Sequence, residues 1–152
     1  MPDTRIKKNA SELAELTFQL LADCQHKEEK IAEQLKITVS EFRCIRIFRG
    51  EKQLQIKQLV ERINLSGSRL TRILESLEEH GFVSRSIDPA DRRSITVTLT
   101  KKGVTLSETL ETRYLQIHEE ILEGIPKEMH TTLIAGLNNM LVALQGWLYA
   151  SK

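Results

Sequence analysis

The apolar pattern of this chain changes period at Gly81. Before it, Ile56, Leu59, Val60 and Ile63, and then Leu70, Ile73, Leu74 and Leu77, recur at three- and four-residue steps, the spacing of a buried helix face. After it, Val83, Arg85 and Ile87, and then Ile95, Val97 and Leu99, recur at every second residue, the spacing of a strand face. Asn64-Leu65-Ser66 interrupts the helical pattern. Ser66 suits an N-cap, where its hydroxyl accepts a free backbone N–H of the next turn. Leu65 and Leu70 have the spacing of a hydrophobic staple across that cap. Gly81 after His80 suits a left-handed helix stop. The expectation is a helix, a tight turn, a second helix and a two-stranded β-ribbon.

The outward face of the second helix carries Ser68, Arg69, Thr71, Arg72, Glu75, Ser76 and Glu79. Its N-terminal half is small, hydroxylic and cationic, and its C-terminal half is acidic. That polarity suits a helix entering the major groove of duplex DNA by its N-terminal end. The ribbon is expected to turn over residues 88–93, with Pro89 fixing one turn position. Taken alone, Asp91-Arg92-Arg93 reads as a solvated turn whose ion pairs carry little energy. One hairpin beyond a helix-turn-helix, the same residues are placed for an Arg to enter the minor groove while Asp91 orients it. The DNA-contact candidates are therefore Ser66, Ser68, Arg69, Thr71, Arg72, Arg85, Asp91, Arg92 and Arg93, with Lys57 as a further phosphate candidate.

Four segments of residues 54–103 carry a resemblance to a known family. They are Ile63-Asn64-Leu65-Ser66, Leu77-Glu78-Glu79-His80-Gly81-Phe82-Val83, Asp88-Pro89-Ala90-Asp91-Arg92-Arg93 and Leu99-Thr100-Lys101-Lys102-Gly103. Together they resemble the winged-helix core of the MarR family of bacterial transcription regulators. More loosely, the resemblance extends over nearly the whole chain, with a helical region before the core and two long helices after it. It implies a homodimer on a pseudo-palindromic operator, acting as a repressor released by a small effector. Lys52-Gln53-Leu54-Gln55-Ile56 departs from it, being more polar than expected ahead of the first module helix.

The 152 residues make one domain of ordinary size with room for a core. The expected layout is mainly α with a small β-hairpin wing. Residues 1–36 form an N-terminal dimerisation helix, 37–103 a winged helix-turn-helix core and 104–152 C-terminal dimerisation helices. There is no apolar run near the ~20 residues of a membrane span and no charged-then-apolar leader, which points to the cytoplasm without a membrane partner. Two cysteines do not make a disulfide scaffold. The absence of a phosphate loop, a nucleophile elbow or a paired-His zinc helix argues against an enzyme. Net charge is only +1, yet residues 52–93 hold eight Lys plus Arg against six Asp plus Glu. The charges balance at nine against nine before that stretch and stand at five against six after it, so the basic excess falls on the DNA module.

The flanks carry long apolar stripes. Leu13, Leu16, Leu20, Cys24, Ile31 and Leu35 share one face of an N-terminal helix. Thr38-Val39-Ser40-Glu41 has capping-box spacing and opens a helix whose Phe42, Ile45 and Phe48 point inward. Leu106, Leu110, Tyr114, Ile117 and Ile121 follow Gly103, and Gly124-Ile125-Pro126 breaks that helix, with Pro126 suited to the first turn of another. Met129, Leu133, Leu137, Met140, Leu141, Leu144 and Leu148 continue to the end. Stripes this long exceed what one core covers, so a partner chain is the expected cover. A monomer with its helices folded back is the alternative.

The signal that such a regulator senses is left open. Cys24, His26, Glu28, Glu41, Cys44 and His118 make a transition-metal ligand set by residue type. Cys24 and Cys44 also make a candidate thiol switch, and the plain alternative is that both are buried structural cysteines. No cofactor is certain. A small aromatic effector is the third option, with Phe18, Phe42, Phe48, Trp147 and Tyr149 to line its site. The rival to DNA binding is a winged-helix protein-interaction module whose wing tip is a solvated turn.

Overall fold

The computed structural model describes residues 3–63 and 65–150, so Asn64, within the expected interruption, lies outside the described residues. Its helices and strands in chain order are α1 (Thr4–Gln34), α2 (Val39–Arg46), β1 (Gln53–Gln55), α3 (Ile56–Ile63) and α4 (Gly67–Glu79). They continue with β2 (Val83–Asp88), β3 (Asp91–Leu99), α5 (Lys101–Glu123), a 3-10 turn (Lys127–Met129) and α6 (His130–Tyr149). The chain is mainly α with a small sheet, as expected. It packs as two compact units, Met1–Glu111 and Thr112–Lys152, with the division inside α5.

The sheet corrects one expectation: it has three antiparallel strands in the order β1-β3-β2, not two. Leu54 pairs with Val97 across β1 and β3, and both side chains are buried. Gln53 and Gln55 flank Leu54 on the exposed face. This accounts for the polarity of residues 52–56, because an edge strand covered on one side needs one apolar residue in three. On the other edge Val83, Arg85 and Ile87 pair with Leu99, Val97 and Ile95, the expected face. The turn is tighter than anticipated. Asp88 pairs directly with Asp91 after a register irregularity at Ile87, so Arg92 and Arg93 belong to β3 and not to a loop. Asp88 Oδ1 accepts the N–H of Ala90 at 2.9 Å to close the tip.

Local capping signals behave as their chemistry requires. Thr38 caps α2 reciprocally with Glu41, and Phe42, Ile45 and Phe48 are fully buried beneath it. Ser66 caps α4 through Arg69 N. α4 stops where Gly81 takes φ +77°. There Phe82 N–H bonds Leu77 O and Gly81 N–H bonds Glu78 O, the paired bonds of a Schellman stop. Two residues of the module fall off their expected faces. Val60 is exposed while Leu59 is buried, because α3 is only eight residues long and offers a narrow inner face. Ser76, assigned to the outer face of α4, is half-buried.

The corner after the sheet is built by Leu99-Thr100-Lys101-Lys102-Gly103. Thr100 N–H bonds Phe82 O at 3.0 Å, and its hydroxyl donates to Gly81 O at 2.6 Å. Lys102 Nζ donates to His80 O at 2.8 Å and sits 4.6 Å from the centroid of the Phe82 ring. Gly103 opens α5 against this corner, where an added Cβ would collide with the Phe82 carbonyl oxygen. In the second unit Pro126 precedes the 3-10 turn and α6 begins only at His130. The His130 ring bonds Leu122 O and Ile125 O, both at 2.8 Å, closing the end of α5.

One buried acid ties α2 to α4. Glu41 is 2% exposed. Its Oε2 accepts Thr38 N–H at 3.0 Å, and its Oε1 accepts the Ser76 hydroxyl at 2.5 Å and faces His80 Nδ1 at 3.0 Å. Burial pushes this carboxyl up, but the bonds from Ser76, Thr38 and His80 outweigh it and hold the group below its usual 4.5.

Two outcomes follow for stability. Gly103→Ala should lower the unfolding free energy by about 1–3 kcal/mol, the usual cost of overpacking against rigid backbone, read by thermal and urea melts. Because the Glu41 carboxyl is depressed on folding, its contribution is complete above 4.5 and is lost as pH falls through the folded value. Urea midpoints measured from about pH 6 down to about pH 3 should therefore fall more steeply for the wild type than for Glu41→Gln.

Candidate nucleic-acid interface

The N-terminal half of α4 is free of the core on its outer side. Ser66, Ser68, Arg69, Thr71 and Arg72 are all exposed, while Leu70 and Leu74 fasten the inner side. Ser66 Oγ accepts Arg69 N–H at 3.4 Å and lies 3.3 Å from Ser68 Oγ. Thr71 Oγ1 donates to Gly67 O at 2.9 Å, which leaves the hydroxyl oxygen to accept. Arg69 and Arg72 flank a recess of about 420 Å³ whose other wall includes Ser40 and Arg43 of α2. Arg43 is already paired with Glu28, and the two remaining guanidinium groups beside the recess favour a phosphate-bearing partner over a neutral one.

The wing places its charges at the tip. Asp91, Arg92 and Arg93 are exposed. Asp91 Oδ1 accepts the backbone N–H of Arg93 at 3.0 Å, so it shapes the strand that carries the arginine. Arg85 stands apart from the other candidates. Its Nε and Nη2 lie 2.8 and 2.7 Å from Glu78 Oε2, and this pair fastens the sheet to the acidic end of α4. Four structural facts thus separate the candidates: exposed cations at the start of α4 and the wing tip, and tied charges at the far end of α4 and the base of the wing.

Each sensing candidate is engaged within its own surroundings. His26 Nδ1 faces Glu29 at 3.2 Å, and Glu28 is held by Arg43 at 2.7 Å. Glu41 is committed to Thr38, Ser76 and His80, and His118 Nδ1 lies 2.7 Å from Tyr114 O. Cys24 is half-buried, 3.9 Å from Lys27 Nζ. Among the described residues no three His, Cys, Asp or Glu side chains are grouped to hold a metal ion. Cys44 is fully buried, and burial, aided by the charge of Glu41, pushes its thiol up to about 12. A thiol so rarely ionised is a poor nucleophile, which corrects the reading of Cys44 as half of a thiol switch. The aromatic effector set divides as well: Phe42 and Phe48 are core, while Phe18, Trp147 and Tyr149 are exposed.

A larger groove of about 690 Å³ was not anticipated. Arg43, Arg46, Arg49 and Arg62 line it together with Glu28 and Glu111 over an apolar floor of Phe42 and Ile63. Arg46 Nε lies 3.7 Å from Glu111. Arg62 pairs with Glu51 at 2.8 Å and donates to Ile47 O at 3.1 Å. The spacing Arg43-x-x-Arg46-x-x-Arg49 was the available signal. It puts Arg43 and Arg46 on one side of α2.

Comparison with known proteins agrees with this geometry. The model of the MarR family matches residues 37–95. The HTH-type transcriptional regulator SarZ of Staphylococcus haemolyticus is 28% identical over 130 residues, covering 84% of this chain and 87% of SarZ. A MarR-like transcription regulator from Bacillus cereus has a similar structure, with a TM-score of 0.77 at 23% identity over 90% of this chain and 99% of that one. NadR, solved in complex with 4-hydroxyphenylacetate, superposes with a TM-score of 0.64 at 25% identity over 82% of this chain and 88% of NadR. SarZ and the Bacillus cereus protein are both named as regulators of transcription. Residues 37–95, which hold the helix-turn-helix and most of the wing, thus match the MarR family model, and the fold over most of the chain is similar to that of the solved MarR-like regulator.

Proposed function

We propose that this chain is a DNA-binding regulator of transcription, working in the cytoplasm as a homodimer on a two-fold related operator. The observation that carries it is the division of charge within one compact unit. Arg69 and Arg72 are exposed at the start of α4 and Arg92 and Arg93 at the wing tip, while Arg85 is neutralised by Glu78 away from both. In this reading α4 enters the major groove, with Arg69 and Arg72 on bases or phosphates, the Ser66 and Ser68 hydroxyls donating to the backbone and the Thr71 hydroxyl oxygen accepting from a base amino group. One of Arg92 and Arg93 reaches the adjacent minor groove, on a strand set by Asp91. Arg85 serves as a tie between wing and helix.

The second copy is argued from what lies uncovered. Leu133, Ile134, Leu137, Leu141, Val142, Leu144 and Leu148 of α6 are all exposed, as are Ile6, Leu13, Leu16, Leu20 and Leu21 of α1. A helix apolar on so much of its circumference is stable in water only when covered. A two-fold dimer covers the same patches on both chains at once. No described helix is long and apolar enough to cross a membrane.

Repression relieved by a small effector completes the proposal. NadR supplies the precedent of an aromatic carboxylate ligand. In this chain the groove beside α2 has the chemistry for such a molecule, with guanidinium groups for the carboxylate and the half-buried Ile47 and Ile63 for the ring.

A gel shift against the DNA upstream of the coding region tests the whole reading. With three or four phosphates neutralised per protomer, log affinity against log salt should slope at about −5 to −7; a slope near zero counts against it. Arg72→Ala should cost about 1–3 kcal/mol on the bound duplex if it reads a base, and Arg92→Ala with Arg93→Ala should weaken binding most at narrow-minor-groove flanks. Light scattering should give twice the mass of one chain, and Leu137→Glu with Leu141→Glu should return the monomer mass and abolish the shift.

A further inference from the structure

The N-terminal half of α4 projects outward, so its aim depends on what holds the other half. From the sheet Arg85 holds Glu78, and from the start of α5 Lys102 holds His80 O. From the α2 side, Ser76 and His80 both meet Glu41 Oε1. Ser76 and His80 are four residues apart and share one face of the helix end. The other oxygen, Oε2, is fixed by Thr38 N–H at the start of α2. The carboxylate is therefore held at both oxygens, one by each element, and is 2% exposed. For a helix cap alone this is more than is needed: a capping Glu reaches its own N-cap from the surface, whereas this one is buried against a different helix.

We infer that Glu41 is a positioning residue for DNA reading, setting through Ser76 and His80 the angle at which α4 presents Arg69 and Arg72. The inference rests on the DNA-binding reading above. Arg69 lies seven residues from Ser76, about 10 Å along the helix at roughly 1.5 Å per residue. A tilt of about 10° about the Ser76 end moves Arg69 by about 2 Å, more than a bidentate base contact tolerates. Phosphate contacts made by long flexible side chains absorb the same displacement, so loss of the clamp affects sequence preference more than overall affinity. α2 also carries Arg43 and Arg46, tied to Glu28 of α1 and Glu111 of α5. The element that fixes the helix angle is thereby the same one that borders the arginine groove.

The test uses the duplex that the wild-type chain enriches from a random pool, alongside an unrelated duplex of equal length. The ratio of the two dissociation constants is measured at one salt concentration for wild type, Ser76→Ala, His80→Ala, Glu41→Gln and Ser76→Ala with Glu41→Gln. Ser76→Ala removes one oxygen and favours helix, so the variant folds, and thermal melts confirm that each protein is native at the assay temperature. Ser76→Ala and Glu41→Gln should each lower the ratio about 3- to 10-fold with little change on the unrelated duplex. The double variant should lose scarcely more than either single one, the mark of one shared interaction. A ratio unchanged in Ser76→Ala and Glu41→Gln, with only the melting temperature lowered, makes the clamp merely structural and overturns the inference. A wild-type chain that enriches no duplex overturns the DNA-binding reading itself, a distinct result.

Discussion

Three consecutive backbone carbonyls decide how this molecule is put together. The oxygens of His80, Gly81 and Phe82 follow the end of α4 and would be orphaned by the left-handed turn at Gly81. Lys102 Nζ, the Thr100 hydroxyl and Thr100 N–H bond them in that order. The sheet leaves this corner at Phe82 and returns to it at Thr100, so the same bonds fix the helix, the wing and the start of α5 together. Such bonds each contribute only about 0.5–1.5 kcal/mol net, but here they hold three elements to one point. Gly103 completes the corner because no side chain fits against Phe82 O.

Charge is distributed on this frame so that partners are separated from free ends. At the far end of α4 the acid Glu78 meets Arg85 of the sheet, and the side chains of Ser76 and His80 meet Glu41, an acid of α2. Arg69, Arg72, Arg92 and Arg93 point to solvent at the opposite ends of helix and wing. The whole-chain charge of +1 hides this arrangement, since attraction for a polyanion depends on where cations are exposed and not on their total. α2 stands between two such systems, with α4 on one side and the arginine groove on the other.

Much of the candidate site was legible because it obeys local rules. The Ser66 cap, the stop at Gly81, the capping box of Thr38 and Glu41 and the paired faces of β2 and β3 each involve residues a few positions apart. Their geometry follows from hydrogen-bond needs and side-chain period. The third strand was hidden, since three residues with one apolar side chain are too short a run for a period-two signal, and their pairing partner lies more than 40 residues away. The tight wing turn was hidden for a similar reason: a register irregularity is decided by the ladder and not by the residues at the tip.

The roles of Glu41, Arg85 and the cysteines show the same limit at the level of chemistry. By type, Glu41 and Cys44 fit a metal or redox set, and Arg85 fits a phosphate contact. Their burial and partners decide otherwise: Glu41 faces Ser76 and His80, 35 and 39 positions on, Arg85 faces Glu78, and Cys44 sits in the core where its thiolate is disfavoured. What the sequence determined by itself was the order and type of the elements, because capping and periodicity are short-range. Only the tertiary structure decided which charges are spent on holding the fold and which face outward, because that depends on distances between residues the chain order keeps far apart.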